Sequence, residues 1–248
     1  MIDNSPYFFL NSIKIYNIDI KALNQFIDYY ITQKRKLIAY YFTAHSNELS
    51  YTNNNFKNAL LKSNINYPDG IGVWFATKYL SKSNSSRINL TDFYPLLIEH
   101  CISKGYNFFL LGSTDEILNK AIQNIQNEFI KIKIVGSHNG YDIVDKEVID
   151  LINSKQPDIL LVGMGSPKQE LWIHENKDKL NAKVFLTVGD LFTGWAGEKV
   201  RGPKIFRNLG FEWVFRALSN PKLYFKRYFF GIPKFLFHLF MEKRAQNK

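Results

Sequence analysis

The chain holds one cysteine, Cys101, among 248 residues, so no disulfide can form within it and no cysteine-based zinc site can be built. That usage fits a reducing compartment. Its five histidines, His45, His100, His138, His174 and His238, are scattered, and none makes an H-x-x-x-H pair on a helix face. No G-x-G-x-x-G, P-loop or G-x-S-x-G string occurs, which argues against dinucleotide, ATPase and esterase chemistry. No uncharged apolar run reaches the ~18 residues that a membrane-spanning helix needs. The longest candidate, Tyr228 to Met241, is interrupted by Pro233 and Lys234. The N-terminus carries Asp3 and no basic n-region, so no signal peptide is expected.

What is present is apolar and unevenly charged. Hydrophobic residues make up 46%, with 21 Phe, 14 Tyr and 4 Trp, enough for a full core and an interfacial surface besides. The net charge of +10 lies wholly in residues 199–248, where twelve Lys/Arg face only Glu212 and Glu242. Residues 1–198 are neutral overall. This is a neutral body with a cationic end suited to an anionic surface. The same 50 residues carry twelve aromatics interleaved with the basic residues, a pattern for helices lying at a lipid interface. A nucleic-acid binder would instead put a basic stripe across the body. A chain cut near Ala196 is expected to stay folded.

Periodicity gives the fold. Short, continuously apolar runs alternate with helical stretches: Leu37–Phe42, Tyr106–Leu111 then 114–129, Ile132–Val135 then 145–154, Ile159–Val162 then 167–177, and Val184–Val188. Helices are also expected over 53–63, 70–80 and 90–103. Runs without polar alternation are strands covered on both faces. The prediction is a doubly wound, mostly parallel, Rossmann-like α/β domain over residues 1–195. A basic, aromatic, helical appendage that associates with membranes follows over 196–248.

Several predicted strands end in glycine: Gly112-Ser113, Gly136, Gly163-Met164-Gly165-Ser166-Pro167 and Gly189-Asp190. Ligands of open α/β sheets bind at the carboxyl ends of the strands, where glycine lets backbone N–H groups approach a phosphate. Pro167 suits the first helical position after a Ser166 cap, leaving Lys168 and Gln169 in the first turn to meet an anion. Asp69, in Pro68-Asp69-Gly70-Ile71-Gly72, is either a helix cap or a general base at the crevice mouth. No Asp-x-Asp occurs, the motif with which many nucleotide-sugar enzymes hold a cation. Diphosphate charge would then fall to side-chain cations and backbone N–H groups.

These strings together resemble the WecG/TagA/CpsF family of bacterial glycosyltransferases over about residues 35–240. The matching parts are Pro68 to Gly72, Gly136 with His138-Asn139-Gly140-Tyr141, Gly163 to Glu170 with Trp172-Ile173, and Arg201-Gly202-Pro203 with Leu209 to Trp213 and Arg216. The resemblance implies transfer of N-acetylmannosamine or a related hexose from a UDP-sugar to an undecaprenyl-diphosphate-linked sugar, with inversion and without a metal or other cofactor. It implies Asp69 as base. It places Thr43, His45, Arg87, Gln169, Arg201 and Arg216 against the substrates, and Gly112, Ser113, Gly136, Tyr141, Gly163, Gly165, Pro167 and Lys168 around the nucleotide. Thr43 takes the place of the family's usual Asn, and Phe192-Thr193 stands where Phe-Asp is typical. The expected partners are the UDP-sugar, the polyprenyl-diphosphate acceptor and an anionic membrane, with no nucleic acid and with a homo-oligomer left open. The expected location is cytoplasmic, peripheral on the inner face of the plasma membrane. The rivals are a nucleotide-sugar or dinucleotide enzyme without transfer activity, such as an epimerase, and a non-enzymatic α/β module that binds nucleic acid or membrane.

Overall fold

The computed structural model describes residues 5–81, 90–141, 143–199, 202–203, 206, 212–219, 221 and 228–246. At Leu90, Thr91, Glu212, Trp213, Arg216 and Ser219 it describes the backbone alone. The chain opens with a hairpin that periodicity does not announce, β1 (Tyr7–Leu10) and β2 (Ile13–Tyr16), paired antiparallel. It turns at Asn11 and Ser12, both with left-handed φ, as tight two-residue hairpin turns require. Then follow α1 (Ile20–Thr32), capped by Asp19, β3 (Leu37–Phe42), α2 (Ala44–Thr52), α3 (Asn54–Leu61), β4 (Ile65–Pro68), α4 (Gly70–Ser81) and α5 (Leu90–Lys104). The second half alternates strictly: β5 (Asn107–Gly112), α6 (Asp115–Glu128), β6 (Lys133–His138), α7 (Asp145–Lys155), β7 (Ile159–Gly163), α8 (Lys168–Asn176), β8 (Val184–Thr187) and α9 (Leu191–Trp195). Beyond it lie α10 (Glu212–Ser219) and α11 (Gly231–Gln246).

Six strands form one sheet in the order β4-β3-β8-β7-β5-β6, every pair parallel. From β5 the chain steps outward to β6 through α6. From β7 it steps the other way to β8 through α8. The strand order therefore reverses between β5 and β7, which places a crevice at their carboxyl ends. Alternate strand residues feed two core layers. Ala39, Tyr41 and Leu110 pack with α1, α5, α6 and α9. Ile38, Tyr40, Phe109 and Leu111 pack with the hairpin, α3, α4, α7, α8 and α11. Burial on both faces is why these strands read as unbroken apolar runs.

The last helix, α11, is seated on the body. Phe235 and Leu239 are buried in the second core layer. A polar seam flanks them: His238 Nδ1 lies 2.9 Å from Glu48 Oε1, the His238 ring stacks on Tyr51, and Glu242 Oε1 accepts from the Asn11 N–H at 2.7 Å. The remaining faces of α11 leave Leu236, Phe237, Phe240 and Met241 exposed. Among the described residues no helix is long and apolar enough to cross a membrane.

Candidate active site

Asp69 follows the last residue of β4. Its N–H donates to the Phe42 carbonyl at 2.9 Å, so the ladder with β3 holds it at the strand end. Gly70 then takes a left-handed φ of 81° to enter α4, a turn that glycine makes without steric cost. The side chain is half-buried. Near it in the core, burial chiefly pushes the Tyr67 and Tyr94 phenols well above their ordinary range, with a smaller contribution from the Asp69 charge.

The register pairs Phe42 with Pro68, so Thr43 and Asp69 end neighbouring strands. Thr43 serves as the N-cap of α2 in a reciprocal capping box: its Oγ1 accepts from the Ser46 N–H at 3.1 Å, and its N–H donates to Ser46 Oγ at 3.2 Å. His45 stands half-buried in the first turn of that helix.

At the switch point three loops touch backbone to backbone. A Cβ on Gly112, whose φ is 142°, would collide with the Gly163 carbonyl, and one on Gly140 would meet Gly112 Cα. The Ser113 N–H donates to Gly163 O at 3.1 Å, and the Gly140 N–H to Ser113 O at 2.9 Å. Gly136 does not belong to this group. The strand expected to end at Val135 runs on to His138, and Gly136 sits within β6 against the Phe109 ring. Gly165 has a φ of 75° and open space around it.

Pro167 occupies the cap position of α8 and Lys168 is its first residue. Ser166 does not cap the helix as expected, because its hydroxyl donates to Glu170 Oε1 at 2.8 Å. Lys168 Nζ reaches across to the Gly140 carbonyl at 2.5 Å and lies 5.9 Å from the Tyr141 ring. Tyr141 is 70% exposed, so one face of the crevice is rimmed by an aromatic ring beside a cation. Gln169 and Glu170 are fully buried. Burial pushes the Glu170 carboxyl up to about 7, against the pull of its Gln169 and Ser166 hydrogen bonds.

Asp69 on β4 and Gly163 on β7 stand three strands apart, about 14 Å at the usual strand spacing. Arg87 and Arg201 lie outside the described residues, as does the side chain of Arg216 on α10. Gly202, next to Arg201 in sequence, is buried against the Phe215 ring of α10. Among the described residues no three His, Cys, Asp or Glu side chains gather at one point. The site also involves Tyr41, Glu170 and the Asp190–Lys199 ion pair (2.9 Å), none of them named as site residues by the sequence. Glu170 carried a signal as the last letter of the Gly163–Glu170 string, and Asp190 as part of the strand-end Gly189-Asp190.

The sequence is similar to those of known proteins. The model of the glycosyl transferase WecG/TagA/CpsF family matches residues 9–248. An N-acetylglucosaminyldiphosphoundecaprenol N-acetyl-beta-D-mannosaminyltransferase of Bacillus spizizenii is 31% identical over 181 residues, covering 73% of this chain and 70% of that protein. A protein of the same description from Staphylococcus aureus is 33% identical over 184 residues, with the same two shares. A non-enzymatic module does not fit such a match. On these grounds the chain belongs to the WecG/TagA/CpsF family of glycosyltransferases and is a hexose-transferring enzyme.

Proposed function

We propose that this enzyme moves an N-acetylmannosamine-like hexose from a UDP-sugar to a sugar carried on undecaprenyl diphosphate, in the building of a cell-surface polysaccharide or teichoic acid. The observation that carries the reading is the shared rim: a carboxylate, Asp69, and a glycine-lined crevice stand about 14 Å apart on the carboxyl ends of one sheet. The relatives' names supply the class of sugar and of acceptor.

On this reading Asp69 accepts the proton of the acceptor hydroxyl while that oxygen bonds to the anomeric carbon. The bond to UDP breaks on the opposite face, so the configuration inverts and UDP leaves as an anion. A positioned general base is worth roughly 10²–10⁴ in rate. Backbone N–H groups at the switch point, Lys168, Arg201 and Arg216 meet the charge that grows on the diphosphate. No metal ion is given a step, since the sequence offers no Asp-x-Asp to hold one on the diphosphate. Tyr141 beside Lys168 offers a ring for the nucleobase.

The acceptor is a lipid, and the protein meets it as a peripheral protein on the cytoplasmic face of the plasma membrane. Support comes from α11, whose outward Leu236, Phe237, Phe240 and Met241 stand beside Lys243 and Arg244. The test is a panel of UDP-sugars with a lipid-diphosphate N-acetylglucosamine acceptor. UDP release that depends on the acceptor is expected for an N-acetylhexosamine donor. No acceptor-dependent release from any donor would overturn the reading.

A further inference from the structure

Gln169 was expected to line the pocket, yet none of its surface is exposed and its amide is fully engaged within the protein. Nε2 donates to Glu170 Oε1 at 2.8 Å and to Tyr41 Oη at 3.0 Å, with Ser166 Oγ at 3.4 Å. Oε1 accepts from the Gly189 N–H at 3.1 Å. Tyr41 belongs to β3, Ser166 to the loop after β7 and Gly189 to the loop after β8. One side chain thus ties together the ends of three adjacent strands, the three that separate Asp69 on β4 from Gly112 on β5.

Glu170 decides which way that amide faces. Its Oε1 accepts from both Gln169 Nε2 and Ser166 Oγ. A flipped amide would set oxygen against oxygen at Glu170 and donor against donor at Gly189. Only the observed orientation pairs both ends of the amide. The tie extends further: Asp190, next to Gly189, holds Lys199 at 2.9 Å, and Lys199 precedes Arg201 by two residues. Glu170 gains little stability from its setting, because its Oε2 is buried with no hydrogen-bond partner among the described residues.

We propose that Glu170 is a positioning residue for sugar transfer: through the Gln169 amide it fixes the Gly189-Asp190 loop, and with it the root of the basic tail, in the register that the reaction requires. It touches neither substrate. The inference rests on the transfer reading above for its kinetic consequence, and on the structure alone for the brace itself.

Two variants of the full chain test it, Glu170→Met and Glu170→Gln. Methionine fills the volume and accepts no strong hydrogen bond. Because it also removes a buried, half-paired carboxyl, Glu170→Met should melt at or above the wild-type temperature. Its kcat should nevertheless fall at least about tenfold, with the donor KM changed less than about threefold, as expected when positioning and not binding is lost. Glu170→Gln keeps an amide oxygen for the same donors and should return kcat to within about threefold of wild type. A second readout needs no activity. Hydrogen exchange at the Gly189 amide should quicken at least about tenfold in Glu170→Met and stay near wild type in Glu170→Gln. Unchanged Gly189 exchange in Glu170→Met would overturn the brace. So would a kcat within about threefold of wild type, or a kcat loss that only follows a lowered melting temperature. If the wild-type enzyme transfers no sugar, the functional reading fails separately, and the exchange experiment still decides the brace.

Discussion

Phe235 and Phe237 lie two residues apart on α11 in opposite surroundings. Phe235 is 2% exposed, and its ring comes within 3.6 Å of where a Cβ on Gly72 would stand, in the first turn of α4 after Asp69. Phe237 is 61% exposed. Phe235→Ala should therefore cost about 3–5 kcal/mol, the usual loss for emptying a packed aromatic site. At roughly 2–4 °C per kcal/mol for a chain of this size, the melting temperature should drop by roughly 6–20 °C. Phe237→Ala should change stability by no more than about 0.5 kcal/mol. On anionic vesicles the order reverses. Phe237→Ala should remove about 1–2 kcal/mol of apolar burial, roughly five- to thirty-fold in partitioning, and the loss should survive high salt. Differential scanning calorimetry and vesicle co-sedimentation measure the two effects. If Phe235→Ala costs under about 1 kcal/mol, α11 is not part of the core. Equal stability effects with unchanged vesicle binding would refute the assignment of its two faces.

Asp69→Asn should leave the melting temperature near wild type and lower kcat by at least roughly 10²; retention of more than about a tenth of the rate would remove Asp69 from the base role. Transfer should persist in excess EDTA, and a loss that Mg²⁺ or Mn²⁺ restores would contradict metal independence. The Glu170 carboxyl stands at about 7 against an ordinary 4.5, raised chiefly by burial. A carboxyl raised in the folded state contributes stability that is full below its unfolded value and is lost as the pH climbs through its folded one. Wild type should therefore lose roughly 3 kcal/mol relative to Glu170→Gln between about pH 4.5 and about pH 8. A wild-type-to-variant difference that stays flat across that range in urea titrations would show that the group does not titrate there.

The sheet was legible because its strands are covered on both faces, and five of the six parallel strands stood out as apolar runs. The six helices expected between 53 and 177 are present, and the elements that were missed have identifiable reasons. α2 buries Ser46, Asn47 and Ser50 in place of apolar side chains, so it shows no helical period. In the hairpin, β1 alternates in burial but not in polarity, because its exposed residues are Tyr7 and Phe9. Pro233 read as a break in the tail, yet it sits in the first turn of α11, where no N–H is needed. A chain cut near Ala196 was expected to fold. Such a cut would strip Phe235 and Leu239 from the cluster they share with Val73 and Ala76. Strand-end logic placed Asp69 and most of the glycines at the carboxyl edge of the sheet, where the structure has them. It missed Tyr41, which reads as core within LIAYYF, and Glu170, which reads as the solvated face of a helix. Their chemistry depends on burial between loops that are distant in sequence.

Asp69, at the end of β4, stands away from the switch point. Doubly wound sheets bind one ligand where the order reverses, here between β5 and β7. A transferase needs room for two substrates. On the proposed reading the glycine-lined reversal takes the donor, and Asp69 stands at the end of β4, the edge strand of the sheet, whose outer side packs against the hairpin. The surface leading to that edge is apolar. α4 begins beside Asp69 and exposes Phe75 and Tyr79, and Lys243 of α11 lies 5.6 Å from the Tyr79 ring. Phe240 and Met241 of α11 extend the same kind of surface. A lipid-linked acceptor held at an interface would meet the base from this edge, while a water-soluble nucleotide-sugar enters at the reversal. On that reading the separation of Asp69 from the crevice follows from delivering two substrates of opposite solubility to one bond.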